Sequence, residues 1–300
     1  MDFEIIFLGT GSAIPTAKHN HTGILVKTPK ENILVDCGEG IQRQFKIAKE
    51  NPCKLTRLLI THWHADHALG IPGLIYSMGL NNYSKTLQIY GPEGTAKKLS
   101  SLQYIYNKFK IKYEVNEITK KVFESPELLI EALPMKHHNT TTFAYSIIIK
   151  DKTRLDKEKL KKLNLPNSPI LKKLQEGKDI IHPKTKKKIK ASSVIYTEKG
   201  KKITIILDTA VNPNTIKISQ SADLLICESS FAEDEEARAK ESYHLTTKQA
   251  AEIAKKAKVK QLVLTHISQK HEIHPEALLL EAKKIFKNTI AVKDFDKLKI

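Results

Sequence analysis

Residues 61–67 read Thr61-His62-Trp63-His64-Ala65-Asp66-His67 and come directly after the apolar run Leu58-Leu59-Ile60. Three imidazoles and one carboxylate thus fall where a strand is predicted to end. Imidazole nitrogens combined with carboxylate oxygens suit a borderline divalent ion such as zinc. On extended backbone His62 and His64 point to the same side and can grip one ion. Asp66 and His67 lie past the turn and can face a second ion nearby. The competing reading is a polar loop that is His-rich by chance, and His-x-His-x-Asp-His behind a buried strand weighs heavily against it.

Four residues cannot complete two coordination shells, so further ligands are expected at the ends of other apolar runs. Leu262-Val263-Leu264-Thr265-His266 repeats Leu58-Leu59-Ile60-Thr61-His62 almost residue for residue. A strand delivering Thr-His at its carboxyl end therefore occurs once in each half of the chain, which suggests a duplicated architecture. Ile203–Leu207 runs into Asp208, and Glu131–Lys136 runs into the pair His137-His138. Any one of these alone reads as a hydrogen-bonded loop residue. Beside the first cluster they become candidate ligands.

Composition bounds the setting. Three hundred residues are enough for one large α/β domain or two small ones. The chain is 40% apolar and has no long apolar run, which argues against a membrane span. Strand-like Phe3–Leu8 at the start reads as leaving no room for a signal peptide. The three cysteines, Cys37, Cys53 and Cys227, have no motif spacing and read as reduced and mostly buried, hence a cytoplasmic setting. Of the net charge of +17, an excess of 12 lies in residues 150–202, where 18 Lys or Arg face 6 Asp or Glu. Scattered lysines usually mean a solvated face; this concentration favours a polyanion-binding arm.

Short strands are predicted at Phe3–Leu8, Thr22–Lys27, Asn32–Asp36 and Arg57–Ile60, separated by turn chemistry such as Cys37-Gly38-Glu39-Gly40. Ile41–Lys49 reads as a short amphipathic helix. Ala65–Met78 looks helical, but Gly70, Pro72 and Gly73 interrupt it. Strand-like Leu87–Tyr90 leads into a helix from about Glu93 to Tyr104, and Phe143–Ile149 is a strong strand. Further strands are expected at Leu224–Cys227, Gln261–Thr265 and Thr289–Val292, with helices at Thr247–Ala257 and Pro275–Phe286. Residues from about Asp151 to Lys202 break this rhythm, with short helices at Lys157–Leu163 and Ile170–Gln175 and a lysine-rich run at Lys184–Lys190. An excursion of that size between core strands points to a function of its own.

The chain resembles the metallo-β-lactamase superfamily, and within it ribonuclease Z, the endonuclease family that trims the 3′ end of precursor tRNA. The resemblance covers nearly the whole length. It is carried by Phe7-Leu8-Gly9-Thr10-Gly11-Ser12-Ala13-Ile14-Pro15, Val35-Asp36-Cys37-Gly38-Glu39-Gly40 with Gln42-Arg43-Gln44, and the His cluster with Gly70-Ile71-Pro72-Gly73-Leu74. Pro134-Met135-Lys136-His137, Asp208-Thr209, Cys227-Glu228-Ser229-Ser230-Phe231, His244-Leu245-Thr246 and Leu264-Thr265-His266-Ile267-Ser268 complete it. The His cluster alone specifies the superfamily; Glu228 with His244-Leu245-Thr246 narrows it to ribonuclease Z.

The resemblance implies an α/β (α+β) fold, an αββα sandwich with a protruding basic arm: one domain over residues 1–300, with about 151–202 inserted as the tRNA-binding arm. The family's arm carries Pro-Pro-Gly-Pro and a Leu-Lys-x-Gly element. This chain has Leu165-Pro166-Asn167-Ser168-Pro169 and Leu174-Gln175-Glu176-Gly177, so Ser168 replaces a glycine.

The resemblance further implies two zinc ions per subunit that activate water for attack on a phosphodiester. His62, His64 and one of His137 or His138 would bind the first ion. Asp66, His67 and His266 would bind the second, and Asp208 would bridge. Counting forward from Pro134 selects His137; counting back from Ala144-Tyr145 selects His138. The easier place for an insertion, the polar 139–142 loop, favours His137. Asp66 doubles as general base. His244 would act on the leaving oxygen, oriented by Glu228. Asp36 reads as orienting a metal-binding histidine from behind. Trp63 reads as packing and Cys227 as core. His19 and His21 read as solvated loop residues that at most line the mouth, and His182, His271 and His274 carry no signal.

The activity implied is a zinc-dependent endoribonuclease acting on precursor tRNA in the cytoplasm as a homodimer. A small-molecule zinc phosphodiesterase or arylsulfatase-like hydrolase of the same superfamily would not need the lysine-rich insertion. A non-catalytic RNA-binding relative would be expected to lack ligand positions, and none is missing.

Overall fold

The computed structural model describes residues 3–106, 109–118, 121–272 and 275–300; His274 lies outside them. In chain order the strands begin with β1 (Glu4–Gly9), β2 (Gly23–Lys27), β3 (Asn32–Val35), β4 (Arg57–Leu59), β5 (Thr86–Gly91) and β6 (Lys112–Glu117). Next come β7 (Lys121–Glu124), β8 (Leu128–His137) and β9 (Thr140–Ile149). The excursion contains β10 (Lys152–Leu155), β11 (Ile180–Ile181), β12 (Lys188–Ile189) and β13 (Ile195–Glu198). The chain closes with β14 (Lys201–Ile206), β15 (Leu224–Glu228), β16 (Gln261–Thr265), β17 (Thr289–Ala291) and β18 (Lys297–Lys299).

Two seven-stranded sheets result, ordered β18-β1-β2-β3-β4-β5-β6 and β17-β16-β15-β14-β9-β8-β7. In each, four successive strands run parallel: β3 to β6 in the first, β14 to β17 in the second. Their central strands are apolar on both sides because both sides are covered. In β1, Ile5 and Phe7 join the layer between the sheets, where they meet Ile147, Ile205 and Val263 of the opposite sheet. The alternate residues Ile6 and Leu8 face helix residues Phe45, Leu74 and Met78. Across the sandwich, Leu225, Cys227 and Leu264 do the same against Ala250, Ile253 and Ala282. The four layers are helix, sheet, sheet, helix, and each fully buried Ile or Leu contributes about 1.5–3 kcal/mol.

Two local devices fix the loops at the carboxyl ends of the strands. The helix predicted across 65–78 divides into Ala65–Ala68 and Ile71–Leu80. A Cβ on Gly70 would collide with the Gly38 carbonyl, so the break lets the loops after β3 and β4 close on each other. They are stitched by Cys37 N to His67 O (2.7 Å) and Gly70 N to Cys37 O (2.9 Å). The helix Thr247–Lys256 begins with a capping box: Thr246 accepts from Gln249 N while Gln249 accepts from Thr246 N. Such a cap contributes about 1 kcal/mol and fixes the segment just before it, which carries His244.

The excursion folds on itself. β10 pairs with β13, and β11 with β12, and neither pair extends a large sheet. Leu160, Leu174, Ile180, Ile189 and Val194 form a separate small apolar cluster. Buried His182 ties it together: its Nε2 lies 2.9 Å from Leu163 O, and Nδ1 accepts from Lys184 N and Thr185 N. Gly177 ends the helix Ile170–Gln175 with φ +79, and Ser168 offers its carbonyl to Leu171 N. Lys201 and Lys202, counted with the excursion in the sequence, already belong to β14. Among the described residues no helix is long and apolar enough to cross a membrane.

Candidate metal centre

Every candidate ligand sits at or just past a strand's carboxyl end or on the short helix beyond it, along one edge of the sandwich. His62 and His64 come after β4, and Asp66 and His67 occupy the first turn beyond it. His137 ends β8, Asp208 comes just past β14, and His266 just past β16. Ligand sites outside the carboxyl ends of strands are the general rule for such sheets.

The residues separate into two groups sharing one member. One atom from each of His62, His64, His137 and Asp208 lies within 4.8 Å of the others, and the same holds for Asp66, His67, Asp208 and His266. Asp208 Oδ2 faces the first group, 3.6 Å from His62 Nε2 and 3.5 Å from His137 Nε2. Its Oδ1 faces the second, 3.3 Å from His67 Nε2 and 3.2 Å from His266 Nε2. Asp66 Oδ2 is 3.3 Å from His67 Nε2 and 3.6 Å from His266 Nε2. Bonds of about 2.0–2.1 Å in a tetrahedral zinc site put neighbouring ligand atoms about 3.3 Å apart, so these spacings fit two such ions. The buried atoms His62 Nε2, His67 Nε2, Asp208 Oδ1 and His266 Nε2 have no hydrogen-bond partner. Buried polar atoms are nearly always paired, and four exceptions converging on one place are the mark of a cation site.

At every shifted member but His67 the electrostatics agree. Burial pushes His62, His64 and His137 below the usual histidine range and keeps their lone pairs free. Burial alone would raise Asp66 and Asp208, but the surrounding histidines outweigh it and hold both carboxylates ionised. At His67 burial opposes charge, and Asp208 and Asp36 outweigh it.

Two buried carboxylates that are members of neither group stand behind the site. Asp36, at φ 58, accepts from His67 Nδ1 (2.6 Å), Thr61 N (2.7 Å) and Thr61 Oγ1 (2.7 Å). Thr61 Oγ1 in turn meets His62 Nδ1 at 3.0 Å. Glu228 Oε1 accepts from Thr209 N (2.9 Å) and lies 3.0 Å from His244 Nδ1. Its Oε2 accepts from Ser230 Oγ at 2.8 Å, and Ser230 Oγ lies 3.1 Å from His266 Nδ1. Each carboxylate thus orients one histidine directly and a second through a hydroxyl. Glu228, His244 and His266 also converge within 4.8 Å, but the oxygens of Glu228 are taken by these hydrogen bonds. His244 Nε2 faces Asp208 Oδ2 at 3.9 Å. Burial works against charge on His244, yet Glu228 and Asp208 raise it to about 9.

Of the adjacent pair, His137 joins the first group. Its Nδ1 lies 3.0 Å from the Tyr243 carbonyl, and its Nε2 lies 3.2 Å from His64 Nδ1. His138 is exposed at φ 42 and packs against the Tyr243 ring. The orienting roles of Thr61, Ser230 and the Tyr243 carbonyl carry no signal in the sequence. Trp63 packs, its Nε1 donating to Thr95 Oγ1 at 2.9 Å, and Cys227 is core. His21 departs from its reading as a solvated loop residue: it is buried, with Nε2 3.2 Å from Ala13 O, because the 10–22 segment folds back on itself. His19 is partly buried against Thr10 Oγ1, and His271 meets Glu235 Oε2 at 2.7 Å.

Fold and site together define a member of the metallo-β-lactamase superfamily, and a family model described as a beta-lactamase superfamily domain matches residues 171–267. A second model, described as anti-Pycsar protein Apyc1, matches residues 3–165. Over the whole chain, ribonuclease Z of Methanosarcina acetivorans is 36% identical, covering 99% of this chain and 98% of its own length. Ribonuclease Z of Enterococcus faecalis is 37% identical, covering 99% and 97%. The chain belongs to the ribonuclease Z family. Among solved structures, the short form of human tRNase Z shares the fold with a TM-score of 0.71 at 23% identity, covering 98% of each chain. The metallo-beta-lactamase fold protein YhfI of Bacillus subtilis does so with 0.72 at 21%, covering 100% of this chain and 99% of its own.

Proposed function

We propose that this ribonuclease Z family member removes the 3′ trailer of precursor tRNA by hydrolysing one phosphodiester, and that His62, His64, His137, Asp66, His67, His266 and Asp208 would hold two zinc ions. The observation that carries the reading is the convergence of four unpartnered buried ligand atoms on two His/Asp groups joined by one carboxylate. Bound there, the ions would screen the anionic phosphate and lower the pKa of water into the neutral range.

The chain's own residues supply the rest. Asp66 sits where it can take a proton from the attacking water. The water oxygen bonds to phosphorus, the bond to the ribose 3′ oxygen breaks, and His244 gives that oxygen a proton. The products are a 3′-hydroxyl on the tRNA and a 5′-phosphate on the trailer. Glu228 holds the His244 ring with Nδ1 toward itself and Nε2 toward the reacting phosphate, and favours its charged form. The lysine-rich excursion, with its own small core, serves as the arm that grips tRNA away from the cut. A small-molecule hydrolase leaves that arm without a role.

We place the enzyme in the cytoplasm, as a homodimer; exposed Tyr76 and Leu80, one turn apart on a helix, offer an apolar face for the partner. Incubating purified protein with a 3′-extended tRNA transcript, with and without chelator, tests the core of the reading. Cleavage mapped to the end of the acceptor stem, lost with chelator and restored by zinc, is expected. Chelator-insensitive cleavage, or none by zinc-loaded protein, overturns it.

A further inference from the structure

His244 also lines a cavity of about 310 Å3, together with Lys136, Val211, Glu236, Lys240, Tyr243 and Gln249, whose Nε2 donates to Glu236 Oε1 at 3.3 Å. The volume sits at the lower end of the range for small-ligand sites, about 300–1,000 Å3, and suits one nucleobase rather than two. Half-buried Tyr243 and exposed Val211 offer apolar surface, and Lys136 lies over the Tyr243 ring at 5.8 Å. Lys136 and Lys240 are both exposed on the cavity's rim. Tyr243 is tied to the metal centre as well, since its carbonyl faces His137 Nδ1 at 3.0 Å.

We propose that this cavity receives the base of the nucleotide whose 3′ oxygen leaves, stacked on the face of Tyr243 that exposed Lys136 vacates as it turns, with Lys240, to that nucleotide's own 5′ phosphate. The proposal rests on the endonuclease reading for its choice of ligand. If His244 delivers a proton to the leaving oxygen, the ribose bearing it must adjoin His244, and this cavity is what adjoins His244 on the side of Tyr243. Every base has a π-face, so an aromatic wall holds the last retained nucleotide without selecting its identity.

Tyr243 permits an unusually clean variant. It lies just past the helix Glu236–Glu241 with φ 54, its N–H directed to Lys240 O and the next N–H to Ala239 O. Glycine prefers this conformation at a helix end. Tyr243→Gly therefore removes the ring while keeping the backbone and the carbonyl that meets His137, and its zinc content should equal that of the wild type. The probe is a stem-loop RNA with a 3′ trailer and 2-aminopurine as the last retained base. Its fluorescence should fall on binding to the wild type and to Tyr243→Phe, and change little with Tyr243→Gly. In cleavage, kcat/KM for a base-bearing substrate should drop about tenfold in Tyr243→Gly, within the range that base stacking supplies. An abasic residue at that position should lose the same factor in the wild type and nothing more in the variant. Equal fluorescence changes in all three proteins overturn the proposal whether or not the RNA is cut. If the zinc-loaded wild type cuts nothing, the endonuclease reading fails separately, and the fluorescence arm still decides what the cavity holds.

Discussion

At the residue scale, two carboxylates that hold no place in either ligand group, Asp36 and Glu228, organise the site. Each is buried at the carboxyl end of a strand, Asp36 in the first sheet and Glu228 in the second. The arrangement predicts how His244 behaves. Glu228 and Asp208 raise it to about 9 against a reference of 6.5. The folded state therefore favours the charged ring, and its contribution to stability is complete below about pH 6.5 and is lost as pH rises through about 9. Nuclear magnetic resonance of chelator-treated protein should track the His244 titration, and Glu228→Gln should lower it; an unmoved titration would separate the two residues. His244→Asn should reduce kcat by about 10²–10⁴-fold with zinc content unchanged, the range for loss of a general acid. Zinc lost in proportion to activity would make His244 a ligand instead. The members of the two groups were legible as candidates because they end apolar runs. The choice of His137 was not open to counting alone: His137 pairs with Thr140, and His138 opens the two-residue turn between β8 and β9 at a positive φ that histidine does not advertise. Ser230 and the Tyr243 carbonyl were illegible because hydroxyls and peptide oxygens orient a ligand only through three-dimensional proximity.

Among the elements, the interior strands and the two long C-terminal helices were legible from unbroken apolar runs and helical periodicity. The edge strands β6, β7 and β18 were not. Their residues, such as Lys112-Tyr113-Glu114-Val115-Asn116-Glu117, are largely charged or polar, as edges that must resist further pairing tend to be. The excursion was legible by charge and by broken rhythm, and its internal pairing makes it separable. Ile149 of β9 pairs directly with Lys201 of β14, so the main sheet closes beneath the arm. Replacing residues 150–200 with Asn-Gly, a pair suited to a two-residue hairpin turn, should leave a folded protein. That protein should hydrolyse bis-(p-nitrophenyl) phosphate at the wild-type rate, since no member of either ligand group is touched, while its affinity for precursor tRNA falls. Undiminished tRNA cleavage by the shortened protein would remove the arm from substrate binding.

For the molecule as a whole, the distribution of charge supports the proposed division of binding from cutting. The net charge is +17, and most of the excess lies in the arm, whereas the two ligand groups bring buried Asp66 and Asp208 together at the sheets' carboxyl ends. The repeated Thr-His strand ends suggested a duplicated architecture, and β4 and β16, one in each sheet, bring their histidines to the same edge of the sandwich. Binding to a polyanion through lysines releases counterions, so affinity should fall with salt by a slope of about 0.9 in log–log terms for each duplex phosphate contacted. Lys184, Lys186 and Lys187 are exposed on the turn joining β11 to β12, which His182 pins to the body of the arm. Changing all three to alanine should lower the slope of log Kd against log salt for precursor tRNA by up to about 2.7, if each meets one phosphate. The kcat of bound tRNA and the hydrolysis of a small phosphodiester should not change, because neither depends on the arm once the substrate is seated. Titrations of wild type and variant between about 50 and 200 mM salt are enough to read this, since each lost contact changes the ratio of the two end-point affinities about three- to fourfold. Parallel lines of equal slope would mean that the lysine turn never reaches the RNA, and a kcat that fell with the slope would mean that the arm positions the scissile bond as well as holding the substrate.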